Sequence, residues 1–131
     1  MDIKDVLLDI SAVEDGRWFP YGDDAEVRIA KWMNKGHSKF LREVAKEHGL
    51  KFANKAISDE QAEELNSGQW PFIITGIKGF TDEGKPVKWS AKLIKTLSLD
   101  PKWDAFFKSA LQLSKEEANY RESNIKDLGK R

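Results

Sequence analysis

The chain has 131 residues, no cysteine, and 22 basic against 22 acidic side chains. That length suits a single domain burying roughly two-thirds of its unfolded surface, and the lack of cysteine excludes disulfides, zinc–thiolate sites and thiol catalysis. The even charge lacks the basic footprint of a nucleic-acid binder, and no apolar run nears the ~20 residues of a bilayer span.

The opening MDIKDVLLDI carries acids where a signal peptide carries bases, which argues against export. It sets Ile3, Val6, Leu7 and Ile10 at helical spacing, although Val and Ile suit a strand equally. From Gly16 the pattern changes. Arg17 to Tyr21 is aromatic and contains Pro20, which favours an edge strand. Gly22-Asp23-Asp24 reads as a turn, and Ala25 to Trp32 alternates, with Val27 and Ile29 on one face and Arg28, Ala30 and Trp32 on the other. A β-hairpin over 17–31 is therefore expected.

After Asn34-Lys35-Gly36 a helix is expected, with Phe40, Leu41, Val44, Ala45 and His48 as its stripe and Gly49 just past its end. Residues 50–57 read as a connector. Ser58 to Gln61 is a capping box, with Asp59 and Glu60 suited to the positive end of the helix. Ala62, Leu65, Gln69, Ile73, Ile77 and Phe80 continue a helical spacing, which Pro71 interrupts. A proline inside a helix costs about 3 kcal/mol, so a kink or restart near Trp70 is expected, with Pro71 in the first turn of the second piece.

Thr81 to Pro86 reads as a loop, and Ser90 as the cap of a short helix bearing Leu93, Ile94 and Leu97. Asp100-Pro101 opens a last helix running to about Arg121, whose apolar face holds Trp103, Phe106, Phe107, Ala110, Leu111 and Ala118. The tail, 122–131, has little to bury and is expected to be flexible. The fold class expected is mainly α: one small helical domain over 1–131 with an N-terminal β-hairpin, α+β at the margin.

Chemistry is sparse. His37 and His48 lack metal-ligand spacing, and read as a polar helix-start residue and a helix C-terminal residue respectively. Glu60, Glu63 and Glu64 read as a solvated helix face, and the consecutive Glu116 and Glu117 diverge. Gly76-Ile77-Lys78-Gly79 lacks the GxxxxGK[ST] pattern of a phosphate loop, and Asp82-Glu83-Gly84 is too short for a calcium loop. No catalytic set, cofactor site or metal site is expected. Lys85, Lys88, Lys92 and Lys95 surround Trp89 and suit a phosphate backbone, yet their spacing is also that of an ordinary exposed helix stripe. A small nucleic-acid-binding regulator is thus the alternative function.

Aromatics concentrate between Gln69 and Trp103, where three of the five tryptophans lie. Three stretches carry a resemblance: GRWFPYGDDAEVRIAKWMNKGHSKFLREV, ITGIKGFTDEGKPVKWS, and LSLDPKWDAFFKSALQ with the later NYRES. In their order and spacing, from about Gly16 to Ser123, they resemble the tail assembly chaperones of long-tailed bacteriophages, the lambdoid-like siphovirus group. Pro71 and Trp70 depart from the smooth helix expected of relatives. The resemblance implies a non-enzymatic protein of the host bacterial cytoplasm, absent from the mature virion. It implies binding of the tape measure protein and promotion of tail tube protein polymerisation, with room for self-association and no membrane partner. It also implies that a longer form can arise by frameshifting, with which Leu128-Gly129-Lys130-Arg131 is compatible. A chaperone for a long helical partner needs apolar grooves with aromatic anchors. Trp32, Trp70, Phe72 and Trp89 are the candidate partner-binding residues, with Trp103 expected in the core and Trp70 and Trp89 divided between core and surface.

Overall fold

The structure, a computed structural model, describes residues 1–47 and 59–124. The opening segment does not form one helix through residue 10. A single turn spans Ile3–Asp5, Leu8 bridges to Arg121, and α1 (Ile10–Asp15) starts where Asp9 accepts the Ala12 N–H at 2.9 Å. The spacing of Ile3, Val6, Leu7 and Ile10 therefore does not mark a buried face: all four are exposed.

The expected hairpin forms, with β1 (Arg17–Tyr21) antiparallel to β2 (Ala25–Ile29) and Phe19 opposite Val27. Pro20 lies in an edge strand, where its missing N–H breaks no ladder. Phe19, Val27 and Ile29 face the core. Strand β2 stops at Ile29, after a register shift between Arg28 and Ile29. Ala30, expected beside Arg28, is buried instead, and its N–H donates to the Ile73 carbonyl at 2.7 Å. Asn34 then caps α2 (Lys35–Glu47) by accepting the His37 N–H at 2.9 Å. His48, Gly49, the connector and Ser58 of the capping box lie outside the described residues.

Helix α3 (Asp59–Gln69) gives way at Trp70 to a short 3-10 turn, Trp70–Phe72, with Pro71 in its first positions as expected, but the helical path does not continue beyond it. Instead Ile74–Lys78 forms β3, antiparallel to β2, completing a sheet ordered β1-β2-β3. The helical continuation expected through Ile73, Ile77 and Phe80 fails for a physical reason. Ile73, Ile74 and Thr75 are β-branched in a row, which disfavours helix and suits a pleated surface. Ile74 and Gly76 are buried, while Thr75 and Ile77 are half-buried. A strand covered on both faces shows no clean alternation, so the 3.6-like spacing of Gln69, Ile73 and Ile77 misleads.

Thr81–Pro86 is more than a loop. β4 (Thr81–Asp82) and β5 (Lys85–Pro86) pair across Glu83 and Gly84, whose φ values of 52° and 82° suit a tight hairpin turn. Gly79 sets how this hairpin leaves the sheet. Its φ is 78°, and a Cβ there would sit 2.2 Å from the Asp24 carbonyl oxygen, so only glycine fits.

Helix α4 (Ala91–Ser98) is capped as expected, Ser90 Oγ accepting the Leu93 N–H at 3.0 Å. Asp100 accepts from the Lys102 N–H, Pro101–Trp103 makes one turn, and α5 (Asp104–Lys115) follows. The last helix stops six residues short of the expected Arg121. There the Asn119 amide donates to the Leu113 carbonyl, taking an acceptor a longer helix would use, and a short turn spans Glu117–Tyr120. Beyond it, the Glu122 N–H donates to Leu7, and residues 125–131 of the expected tail lie outside the description.

The product is a small α+β domain of helices around a three-stranded antiparallel sheet. Its main core joins Phe19, Val27 and Ile29 to Ile73, Ile74 and Ile94, and to Phe106, Phe107 and Ala110 of α5. A second cluster of Ala12, Val13 and Tyr120 fastens the N-terminal segment to the end of α5.

Candidate functional site: an apolar cleft beside α4

The β4–β5 hairpin and α4 do not close completely over the start of α5. Between them is a cleft of about 590 Å³. Ile77 and Phe80 come from β3 and the residues after it, Leu93 and Leu97 from α4, and Trp103 and Phe106 from the start of α5. Asp82, Asp100 and Lys102 stand at its polar margin. The sequence builds this shape locally. Phe80 and Val87 flank the tight hairpin, and the Val87 N–H donates to the Phe80 carbonyl at 2.9 Å, so both side chains lie at its base. The Ser90 cap and the Leu93–Leu97 spacing then turn one α4 face toward the same space.

Aromatic contacts continue from the cleft into the core. Trp103 meets Phe106 edge-on at 5.2 Å, Phe106 meets Phe107 at 5.2 Å, and Phe107 meets Trp70 at 4.8 Å. Trp70 reaches Trp32 at 6.2 Å, and Trp32 packs on the His37 ring at 4.5 Å. Such edge-to-face pairs are favourable beyond their buried area.

Of the residues named as anchors, Trp32 and Trp70 meet each other. Trp32 and Trp70 are half-buried against the main core. Phe72 is 37% exposed and packs on Phe40 of α2, so the Trp70–Phe72 turn sends its two aromatics to different neighbours. Trp89 is 38% exposed, but its indole N–H donates to the Ile74 carbonyl at 2.7 Å, fastening the approach to α4 onto β3. None of these four lines the cleft; Trp103, expected in the core, is half-buried and does line it. Phe80, Leu93 and Leu97 escaped sequence reasoning as site residues. The signal was an apolar pair, Phe80 and Val87, flanking the polar turn.

His37 stands in the first turn of α2, as expected of a helix-start residue. It is fully buried: Nδ1 accepts the Met33 N–H at 3.0 Å, and Nε2 lies 2.9 Å from Gln69 Oε1. Burial pushes its pKa below the ordinary imidazole value, outweighing the Gln69 hydrogen bond that raises it. Lys85, Lys88, Lys92 and Lys95 are all exposed. Among the described residues, no group of three or more histidines and carboxylates is disposed to hold a metal ion, and no helix is long and apolar enough to cross a membrane.

No family model, curated protein or solved structure matches this chain. The cleft's own chemistry is therefore the best guide to its use. Apolar walls with few polar groups suit the non-covalent capture of an apolar surface.

Proposed function

We propose that this chain is a non-enzymatic assembly chaperone of a long-tailed bacteriophage, acting in the host cytoplasm. In this reading it shelters an apolar stripe of the tape measure protein while the tail tube protein polymerises, and is then left out of the virion. The observation that carries the reading is the cleft of about 590 Å³, walled by Ile77, Phe80, Leu93, Leu97, Trp103 and Phe106. Its size and lining suit the side chains of one amphipathic helix laid along α4, the helix-in-groove mode of recognition. A tape measure, being long and helical, offers such stripes repeatedly. The order of motifs resembling the tail chaperones names the partner; the cleft supplies a mode of holding it.

Co-expression with the tape measure protein tests this. The chain is expected to co-purify with it and keep it soluble. Leu93→Lys, which puts a charge into a half-buried cleft wall, is expected to weaken capture at least about tenfold. Lys39→Ala, at an exposed position on α2 away from the cleft, is expected to leave capture unchanged. Retention of full capture by a folded Leu93→Lys protein would overturn the reading.

A further inference from the structure

Two apolar surfaces in this molecule lack a partner among the described residues. One is the cleft. The other is the N-terminal stripe, where Ile3, Val6, Leu7 and Ile10 are 69, 55, 45 and 67% exposed. Single exposed aliphatics are ordinary, whereas here four fall within eight residues of one segment. The stripe is also held in place. Leu8 bridges to Arg121, the Glu122 N–H donates to the Leu7 carbonyl at 2.9 Å, and Asp9 caps α1.

The two surfaces lie at opposite ends of α5. Trp103 and Phe106, at its start, line the cleft, while Tyr120, beyond its end, holds the N-terminal segment. The 12 residues of α5 span roughly 18 Å. A stripe packed at one end does not reach its own cleft at the other.

Charge distinguishes the ends as well. Residues 2–15 carry Asp2, Asp5, Asp9, Glu14 and Asp15 against Lys4 alone. Residues 85–102 carry Lys85, Lys88, Lys92, Lys95 and Lys102 against Asp100 alone. All five lysines are exposed, and Lys102 stands at the cleft margin. Those on α4 lie within one helix diameter of the cleft, about 10–12 Å, comparable with the screening length of about 8–10 Å at ordinary salt. On the hairpin side Asp82 and Glu83 supply the opposite sign, for which Lys4 is available.

We propose that the cleft of one copy takes the N-terminal stripe of a second copy, head to tail. Ile3, Val6 and Leu7 enter between α4 and the hairpin, and the Asp2–Asp9 carboxylates lie along the lysine side. This use accounts for both the exposed stripe and the lysine row around Trp89. The contact is heterologous: each added copy leaves one stripe and one cleft unfilled, so growth continues until a ring closes. The surface is small, and the association is correspondingly weak and salt-sensitive. The inference concerns the purified chain alone and does not rest on the tape measure reading. Because both occupants use one cleft, self-association competes with capture.

Sedimentation of the full chain from about 10 µM to about 1 mM tests it. The average mass is expected to rise with concentration, and to rise less at about 1 M salt, where screening falls to about 3 Å. Two double variants at exposed positions preserve the fold, which circular dichroism checks: Ile3→Asp with Val6→Asp, and Lys92→Glu with Lys102→Glu. Each alone is expected to associate at least about tenfold more weakly. Mixed one to one, the first supplies an intact cleft and the second an intact stripe, so the mixture forms a dimer and nothing larger. Adding Asp2→Lys and Asp5→Lys to the lysine variant is expected to restore growth. A wild-type chain that stays monomeric throughout, association that survives in both variants, or a mixture without a dimer would each overturn the proposal.

Discussion

At His37 one ring joins three segments: the turn after β2, the start of α2 and the end of α3. Because Nδ1 accepts the Met33 N–H, the proton belongs on Nε2, which donates to Gln69 Oε1. Met33 holds a left-handed φ of 64° to aim that N–H at the ring. Protonating Nδ1 would set two donors against each other. The folded-state pKa is accordingly lowered by burial, so as pH falls below about 6.5 the unfolded chain binds the proton first. The ring's contribution is complete above that pH and is lost as pH falls through the lower, folded value. Urea unfolding of the wild type is therefore expected to lose stability between pH 7.5 and 5.5 relative to His37→Gln. At pH 7.5 the variant itself is expected to be less stable by about 1–3 kcal/mol, the cost of unmatched buried groups. A difference between the two proteins that does not change with pH would mean the ring is not held neutral.

Among the elements, β3 is the hinge of the architecture. It pairs with β2 through one edge, and at the other the Ile74 carbonyl accepts the Trp89 indole N–H. That bond fixes where α4 begins, and with it one wall of the cleft. Trp89→Phe keeps most of the packing but removes the donor, so it is expected to cost about 1 kcal/mol of unfolding stability. Ile74→Ala, at a fully buried position, is expected to cost about 2–5 kcal/mol. Chemical denaturation measures both, and near-equal losses would contradict the division between an edge bond and a core side chain. The strand shows why elements differ in legibility. Ser90 and Asp100 announce α4 and the start of α5 because a cap is a local bond between a side chain and a nearby N–H. The local sign of β3 is the β-branched run of Ile73, Ile74 and Thr75 alone, and its stability comes from β2, some 47 residues earlier where Arg28 Nε donates to Thr75 Oγ1.

For the molecule as a whole, the aromatic series from Trp103 to Trp32 makes the interior continuous, while Tyr120 ties on the N-terminal segment. Its hydroxyl donates to the Ile29 carbonyl at 3.0 Å, and its own carbonyl accepts the Asp9 N–H at 2.7 Å. Burial raises the phenol pKa well above its ordinary value. The unfolded chain therefore loses that proton first, and this contribution to stability declines as pH rises above about 10. Tyr120→Phe leaves a buried carbonyl unmatched and is expected to cost about 1–3 kcal/mol at neutral pH. It should also reduce the alkaline loss, which thermal or urea unfolding across pH 8 to 11 would reveal. An unchanged alkaline slope would assign that loss to other groups.

The sequence by itself determined the features that depend on neighbours within a few residues. These are the Arg17–Ile29 hairpin, the caps at Ser90 and Asp100, and the apolar stripes of α2, α4 and α5. Each is written in turn residues, capping oxygens or periodic apolar positions, whose energetics are local. Tertiary structure alone decided the rest. It turned Ile74–Lys78 into a strand because β2, distant in sequence, offers it a pairing edge, and it left Ile3, Val6, Leu7 and Ile10 exposed despite their helical spacing. It also drew Phe80, Leu93, Leu97 and Trp103 around one cleft. A side chain's burial depends on what distant segments bring against it, and apolar spacing specifies a face without specifying what will cover it.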